Sequence, residues 1–263
     1  MVPDKFVCEK GDKSQLVIDN KDVKIKENST IIFGFAGLGL IGPIIANTMI
    51  DQIEDIKEIG FVATDFLPPI AVFHHGELMH PFRLYYTEKY NILLGISEVP
   101  FKVTSAYNDL AKTLCNWALS DEIKASQIVT FQGIPQQGMI EDFPVSYAAQ
   151  KEYQDTFDKL DLKQIDRGII TGAEATIINV ALTNSIDPVV LFTPVYKIPT
   201  PEGAASIIEV LNKVYGLDLD TDKLLEQGKQ IKDRMEKLAE KASQYRQQQL
   251  RGPQKEEPSE LYR

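Results

Sequence analysis

The alternation of short apolar segments with segments of helical period constrains the fold of this chain most strongly. Residues 30–35 (TIIFGF), 59–64 (IGFVAT) and 127–131 (QIVTF) are short and predominantly apolar, as expected for strands that are buried on both faces. Helical periodicity follows the first of these segments and precedes the third. Strands that alternate with helices form a sheet that is covered on both faces. We therefore predict an α/β fold with a mostly parallel sheet and helices on both of its faces.

The second half of the chain keeps the same alternation. Residues 167–172 (RGIITG) have the composition of a strand that ends in a glycine turn, and residues 173–184 are predicted to form a helix. A further helix is predicted to begin at Thr200, a capping residue that is followed by a proline and an acid, and to end at Gly216. Residues 70–98 lack a helical period, so we expect antiparallel strands there.

A long amphipathic helix is predicted over residues 221–249. Its apolar side chains form a narrow stripe with two positions in each heptad, and the other positions are mostly charged or polar. An isolated helix of this kind would leave its stripe in water. We therefore expect the helix to pack on its own body or on a neighbouring subunit. The stripe consists of Leu224, Ile231, Leu238 and Tyr245 at one position and Gly228, Met235 and Ala242 at the other.

Residues 251–263 (RGPQKEEPSELYR) cannot bury enough apolar surface to offset the entropy of ordering, so they are predicted to form a flexible tail. This tail carries Leu261 and Tyr262, followed by Arg263. A free carboxylate on Arg263 could be captured by backbone N–H groups or a lysine of a partner, while the tyrosine ring would supply buried area. The predicted organisation is an α/β domain over 1–220, an amphipathic helix over 221–250 and this tail as a docking peptide.

The composition excludes several classes of protein. A net charge of −10 and a pI of about 4.9 argue against binding to nucleic acids or to an anionic membrane surface. No apolar run approaches the roughly 20 residues that span a bilayer, and the first residues lack the apolar core of a signal peptide. Only Cys8 and Cys115 are present, which is too few for a disulfide framework or a cysteine-rich zinc site. We expect a cytoplasmic protein.

A glycine-rich turn offers one candidate binding site. Gly37, Gly39 and Gly42 match the pattern G-x-G-x-x-G between a predicted strand and a predicted helix, where backbone N–H groups can approach a pyrophosphate. Asp65 ends the next predicted strand and could reach a ribose hydroxyl. Pro43 removes one N–H group from the first turn, and a tight turn chosen for close packing explains the same glycines. A nucleotide-binding enzyme is therefore kept as an alternative.

No other group of residues predicts catalysis. His74, His75 and His80 would not present three ligands to one metal ion, and an exposed hairpin explains them better. Cys115 has the surroundings of a buried packing residue. Glu174 lies at a helix start, where an acid interacts favourably with the helix dipole. We predict a protein that is not an enzyme and that needs no cofactor or metal.

Several segments together resemble the proteasome assembly chaperone family of the archaeal type. They are FGFAGLGLIGPIIANTMI, FVATDFLPP, FQGIPQQG, IITGAEATIINVAL and LFTPVYKIPTPEGAASIIEVLNKVYGLDLDTDKLLEQGKQI, which span roughly residues 25–235. The resemblance implies a phosphorylase-like, three-layer α/β fold without phosphorylase chemistry. It also implies a homo-oligomer whose partner is the proteasome core particle or its α subunits, with a related chaperone subunit as a further partner.

The same resemblance gives the tail a role. Leu261 would be the hydrophobic member, Tyr262 the tyrosine and Arg263 the carrier of the carboxylate in a hydrophobic-Tyr-X motif that enters pockets between proteasome α subunits. The predicted function is an ATP-independent chaperone or activator that docks by this motif. A further alternative is an oligomeric scaffold whose tail is sequestered on its own body.

Overall fold

A ten-stranded mixed sheet forms the centre of the molecule. The structure is a computed structural model that describes residues 6–10, 13–20, 22–74, 76–101, 104–120 and 123–231. The strands are β1 (Phe6–Lys10), β2 (Ser14–Ile18), β3 (Thr30–Phe35), β4 (Lys57–Thr64), β5 (Val72–His74), β6 (Glu77–Met79), β7 (Phe82–Thr87), β8 (Ile92–Ser97), β9 (Gln127–Pro135), β10 (Ser146–Ala149), β11 (Lys163–Gln164) and β12 (Asp187–Val195). The helices are α1 (Ile41–Gln52), α2 (Thr104–Ala118), α3 (Lys151–Asp158), α4 (Ala173–Thr183), α5 (Pro201–Tyr215) and α6, which covers 222–231 of the described residues.

The strand order is β1-β2-β4-β7-β8-β3-β9-β12-β10-β11, and β5 pairs with β6 in a separate hairpin. The four central strands β8, β3, β9 and β12 run parallel to one another. Antiparallel pairs extend the sheet on the side of β7, as expected for residues 70–98. The predicted α/β class is confirmed, and its parallel strands occupy the middle of the sheet, where helices cover both faces.

The three layers of the fold pack together through two apolar cores, one on each face of the sheet. On one face, α1 and α5 pack on the central strands through side chains such as Ile45, Met49 and Ile208. On the other face, α2 and α4 pack through side chains such as Leu110, Leu114 and Ile177. Cys115 lies in this second core and is fully buried, which confirms the prediction of a packing residue. Among the described residues, none of the helices has the length and hydropathy of a transmembrane span.

Two glycines allow α1 to cross β3 in near contact. A Cβ added to Gly34 would overlap the carbonyl group of Gly42 and lie 2.9 Å from its carbon. A Cβ added to Gly42 would lie 2.6 Å from the carbonyl oxygen of Phe35. Because both obstacles are backbone atoms, a rotamer change cannot relieve the overlap. The turn and the helix can therefore adopt this arrangement only with glycine at both positions.

The described part of α6 packs on its own body. Leu224 belongs to the core beneath α1 and α5, and Gly228 is buried against the side chain of Glu202. Asp220, just before α6, exchanges hydrogen bonds with Gln52 at the end of α1. The predicted stripe thus faces the body at these two positions, and its members from Met235 onward lie outside the described residues.

Two local predictions need correction. Residues 167–172 form neither a strand nor a helix, because the edge of the sheet beside β10 is taken by β11 instead. Ile169 in this segment is 92% exposed, so it does not contribute to a core. Thr200 does begin α5, but its hydroxyl accepts from the Tyr196 N–H and donates to the Ile198 carbonyl rather than capping the helix. Gly216 ends that helix in the left-handed conformation, as predicted.

Gly34→Ala should lower the free energy of unfolding by about 1–3 kcal/mol, because the added methyl group forces backbone atoms of α1 and β3 apart. The control is Gly168→Ala, where the added Cβ meets nothing closer than Ile165 Cγ2 at 3.9 Å. That variant should stay within about 1 kcal/mol of the parent protein. Denaturant unfolding of both variants measures the difference. Equal effects would contradict the close approach.

Candidate functional site

The predicted docking residues lie outside the part of the chain that the structure describes. Leu261, Tyr262 and Arg263 follow residue 231, the last described position. Their assignment therefore stays a prediction. The glycine-rich turn, the other predicted binding site, lies within the described residues.

The glycine-rich turn serves packing at most of its positions. Residues Leu38–Leu40 form a single 3-10 turn before α1, and Gly39 adopts a positive φ of 71°. A Cβ on Gly39 would lie 2.8 Å from Val195 in β12, so protein atoms already fill the space beside it. The Gly39 carbonyl accepts from the Thr200 N–H at 2.9 Å, which ties the turn to the start of α5. Among the three glycines of the motif, only Gly37 borders open space.

Asp65 does not lie beside this turn. It follows β4, and two strands, β7 and β8, separate β4 from β3. At a spacing of about 4.8 Å between strands, the two strand ends are roughly 14 Å apart in the plane of the sheet. In a dinucleotide site the ribose acid comes from a neighbouring strand. The geometry therefore does not assemble the predicted combination of glycines and acid.

A cavity of about 200 Å³ lies beside Gly37, where β3 and β8 end. The chain leaves β3 toward α1 on one face of the sheet and leaves β8 toward α2 on the other face. When the chain leaves two neighbouring parallel strands toward opposite faces of the sheet, a crevice forms at the carboxyl ends of these strands. Ligands bind in such crevices in open α/β sheets. Phe35, Val99, Phe101 and Tyr107 supply apolar surface to the cavity, and Gln132, Thr171 and Glu174 supply polar surface.

Glu174 is the one carboxyl group among the described residues that line this cavity. It lies in the first turn of α4, two residues after Gly172, which precedes the helix with a φ of 93°. Its side chain sits between two glycines: a Cβ on Gly37 would be 3.7 Å from Oε1, and a Cβ on Gly172 would be 3.0 Å from Oε2. The residue is only 7% exposed. Glu174 therefore lies at the helix start, as expected, but it is also buried, which the sequence did not predict.

The carboxyl group of Glu174 has no counter-charge within the described residues. Burial raises the pKa of Glu174 to about 7, and a hydrogen bond from its own backbone N–H acts in the opposite direction. Gln132, at the end of β9, lines the same cavity, and its Oε1 is buried without a hydrogen-bond partner among the described residues. Gln132 Oε1 thus has no partner among the described residues, and the two carboxyl oxygens of Glu174 have only the N–H of their own residue.

A second polar cluster differs from the Glu174 site because its side chains form hydrogen bonds and ion pairs with one another. Arg83 is 1% exposed; its Nε donates to the Tyr85 hydroxyl at 2.8 Å and its Nη1 to Glu98 Oε2 at 3.1 Å. The other oxygen of Glu98 lies 2.8 Å from His74 Nε2 and accepts from Asn47 at 3.2 Å. Burial opposes ionisation of Glu98, but Arg83 and the hydrogen bonds outweigh it and lower its pKa. This cluster ties β7, α1 and the β5–β6 hairpin together.

The predicted histidine-containing hairpin is present, and its histidines face different partners. His74 contacts Glu98, whereas the His80 ring stacks on Phe61 with centroids 3.6 Å apart. His75 lies outside the described residues. The described part of the chain contains no group of three side chains suited to a metal ion.

Exposed apolar side chains surround the glycine-rich turn on the carboxyl edge of the sheet. We call this surface the edge patch, and it comprises Leu38, Leu40, Ile134 and Ile198. The close approach of Gly133 to the Leu38 carbonyl brings the end of β9 against the turn. Clustered exposed apolar residues are typical of protein–protein contacts.

Comparison with known proteins identifies relatives across almost the whole described body. The sequence profile of the PAC2 family matches residues 31–239. An uncharacterized protein of Methanocaldococcus jannaschii is 27% identical over 222 residues, which cover 81% of this chain and 87% of the relative.

Solved structures give the same grouping. The crystal structure of PbaA from Pyrococcus furiosus, described as an archaeal homolog of proteasome-assembly chaperone, matches with a TM-score of 0.76 at 26% identity, covering 91% of this chain and 97% of PbaA. PbaB from the same organism, described as an archaeal proteasome activator, matches with a TM-score of 0.74 at 16% identity, covering 86% of this chain and 99% of PbaB. The second likeness concerns the fold alone.

Glu174→Gln should stabilise the protein at pH 8 and have little effect near pH 4. The pKa of Glu174 is raised from 4.5 to about 7 on folding, so between these values the unfolded chain loses a proton that the folded protein keeps. The contribution of Glu174 to the free energy of unfolding is therefore fully present below pH 4.5. It falls as the pH rises from 4.5 to 7, by at most about 3 kcal/mol in total.

Denaturant unfolding at several pH values measures this effect. Glu152→Gln is the matched control, because Glu152 is an exposed acid in the first turn of α3. A stability difference between Glu174→Gln and the parent that does not change between pH 4 and pH 8 would contradict the raised pKa.

Proposed function

The chain belongs to the PAC2 family, and we propose that it binds the proteasome core particle as an ATP-independent assembly chaperone or activator. The observation that carries the proposal is the family match over residues 31–239, combined with the Leu261-Tyr262-Arg263 sequence. The likeness to PbaA, at 26% identity over 91% of the chain, supports it. The action proposed is binding without catalysis.

The docking step uses the tail as a peptide. Leu261 fills an apolar niche, Tyr262 enters a pocket between two α subunits, and the carboxylate of Arg263 pairs with N–H groups or a lysine of the partner. The proposal requires a peptide that is free of the body, and the charged and proline-containing composition before Leu261 favours this. The start of α6 supports this arrangement, because Leu224 and Gly228 fix it to the body on the side of α1 and α5.

Oligomerisation belongs to the proposed mechanism. A single tail buries few side chains, so its affinity for one pocket is weak. Several tails on one homo-oligomer raise the overall affinity by roughly 10²–10⁴ through effective concentration. The edge patch and α6 are the surfaces proposed for contact between copies.

Tyr262→Ala should weaken binding to the proteasome core particle by at least tenfold, because buried tyrosines at interfaces commonly contribute 2 kcal/mol or more. Co-sedimentation with purified core particles measures the loss. Ser259→Ala, in the same tail but outside the motif, should bind like the parent protein. Analytical ultracentrifugation should show the same oligomer for all three proteins. Undiminished co-sedimentation of Tyr262→Ala would contradict docking through the tail.

Limited trypsin digestion distinguishes a free tail from a sequestered one. A free tail should be cut after Arg251 or Lys255 well before any site in the α/β body, because proteases need an accessible extended segment. Mass spectrometry of the early products identifies the cleavage sites. Early cleavage confined to the body, with the tail intact, would favour the scaffold whose tail is packed away.

A further inference from the structure

We propose that the cavity beside Glu174 is a binding site for a small organic amine, whose ammonium group pairs with the Glu174 carboxylate. This site is separate from the tail and does not depend on the proposed docking to the proteasome. The ligand class follows from three properties of the cavity: a buried acid with no partner side chain among the described residues, aromatic rings in part of the wall, and a small volume.

The unpaired acid supplies the charge preference. Glu174 is 7% exposed and receives no hydrogen bond from another described residue, in contrast to Glu98, which has Arg83, Asn47 and His74 around it. Buried carboxylates are normally paired, because an isolated buried charge is very unfavourable. A cationic ligand would provide the missing partner for the carboxylate.

The walls and the volume define the rest of the ligand. The rings of Phe101 and Tyr107 meet edge to face with centroids 6.2 Å apart, and both line the cavity together with Phe35. The volume of about 200 Å³ is below the range of drug-sized pockets but above the cavity of about 150 Å³ that holds benzene. A short amine with one aromatic ring or a similar apolar body matches both properties.

An anion is the competing ligand, since the N-terminus of α4 and the glycine-rich turn present backbone N–H groups. The Glu174 carboxylate stands between these two elements, against Gly37 on one side and Gly172 on the other. An anion would therefore meet a like charge at close range. The cation is favoured by the position of this one side chain.

Isothermal titration of the full chain with 2-phenylethylamine at pH 8 tests the proposal, with 2-phenylethanol as the neutral probe of the same shape and inorganic phosphate as the anionic probe. We expect the amine to bind with a dissociation constant on the order of 1 mM, as is usual for a fragment. The alcohol should bind at least tenfold more weakly, and phosphate should not bind. Amine binding should weaken about tenfold at pH 6, where most Glu174 is protonated.

Two variants locate the site. Glu174→Gln should lose the preference for the amine over the alcohol and its dependence on pH, while Glu152→Gln should bind like the parent protein. Gly37→Val should abolish binding with the fold retained, because Gly37 has a φ of −118° and its added side chain would enter the cavity. No amine binding by the parent protein, binding of phosphate instead, or undiminished amine binding by Glu174→Gln or Gly37→Val would overturn the proposal. None of these outcomes changes the expected effect of Tyr262→Ala.

Discussion

The close contact between Gly34 of β3 and Gly42 of α1 is the constraint on which the centre of this fold depends. With no side chain on either residue, the helix crosses directly over the strand, and the turn between them is short enough to close against β9 and β12. Gly39 then fits against Val195, and the Thr200 N–H reaches the turn. The same contact places Gly37 opposite Glu174, so the packing of α1 also shapes the cavity. Fold and candidate site therefore depend on the same glycines.

A glycine-rich turn after a strand is commonly associated with phosphate binding, and this molecule shows how the same pattern can serve packing. The spaces beside Gly39 and Gly42 are filled by Val195 and by the backbone of Phe35. Only Gly37 remains next to an open cavity, and an acid rather than a phosphate-binding cation lies across from it. The charge preference of this cavity, at the carboxyl edge of the sheet, thus depends on Glu174, which is distant in sequence from the glycine-rich turn.

The sequence predicts the elements of this fold better than their arrangement. Buried strands such as 30–35 and helices such as α4 have periodicities that depend only on neighbouring residues, and the structure confirms them. The strand order depends on contacts between distant segments, so nothing in the sequence showed that β7 and β8 separate Asp65 from the glycine-rich turn. Glu174 illustrates the same limit. Its place at a helix start can be predicted, whereas its burial depends on Gly37, which is far away in sequence.

The body and the tail have separable roles in the proposed function. In that proposal, the α/β body would provide the surfaces for contact between copies, and the tail would provide the docking peptide. The capture of a free carboxylate is the central claim, and a synthetic peptide of residues 251–263 tests it without the body. The peptide acid should compete with the full-length protein for the core particle, and the same peptide with an amidated Arg263 should compete at least tenfold more weakly, since it lacks the charge. Equal competition by the acid and the amide would contradict the claim.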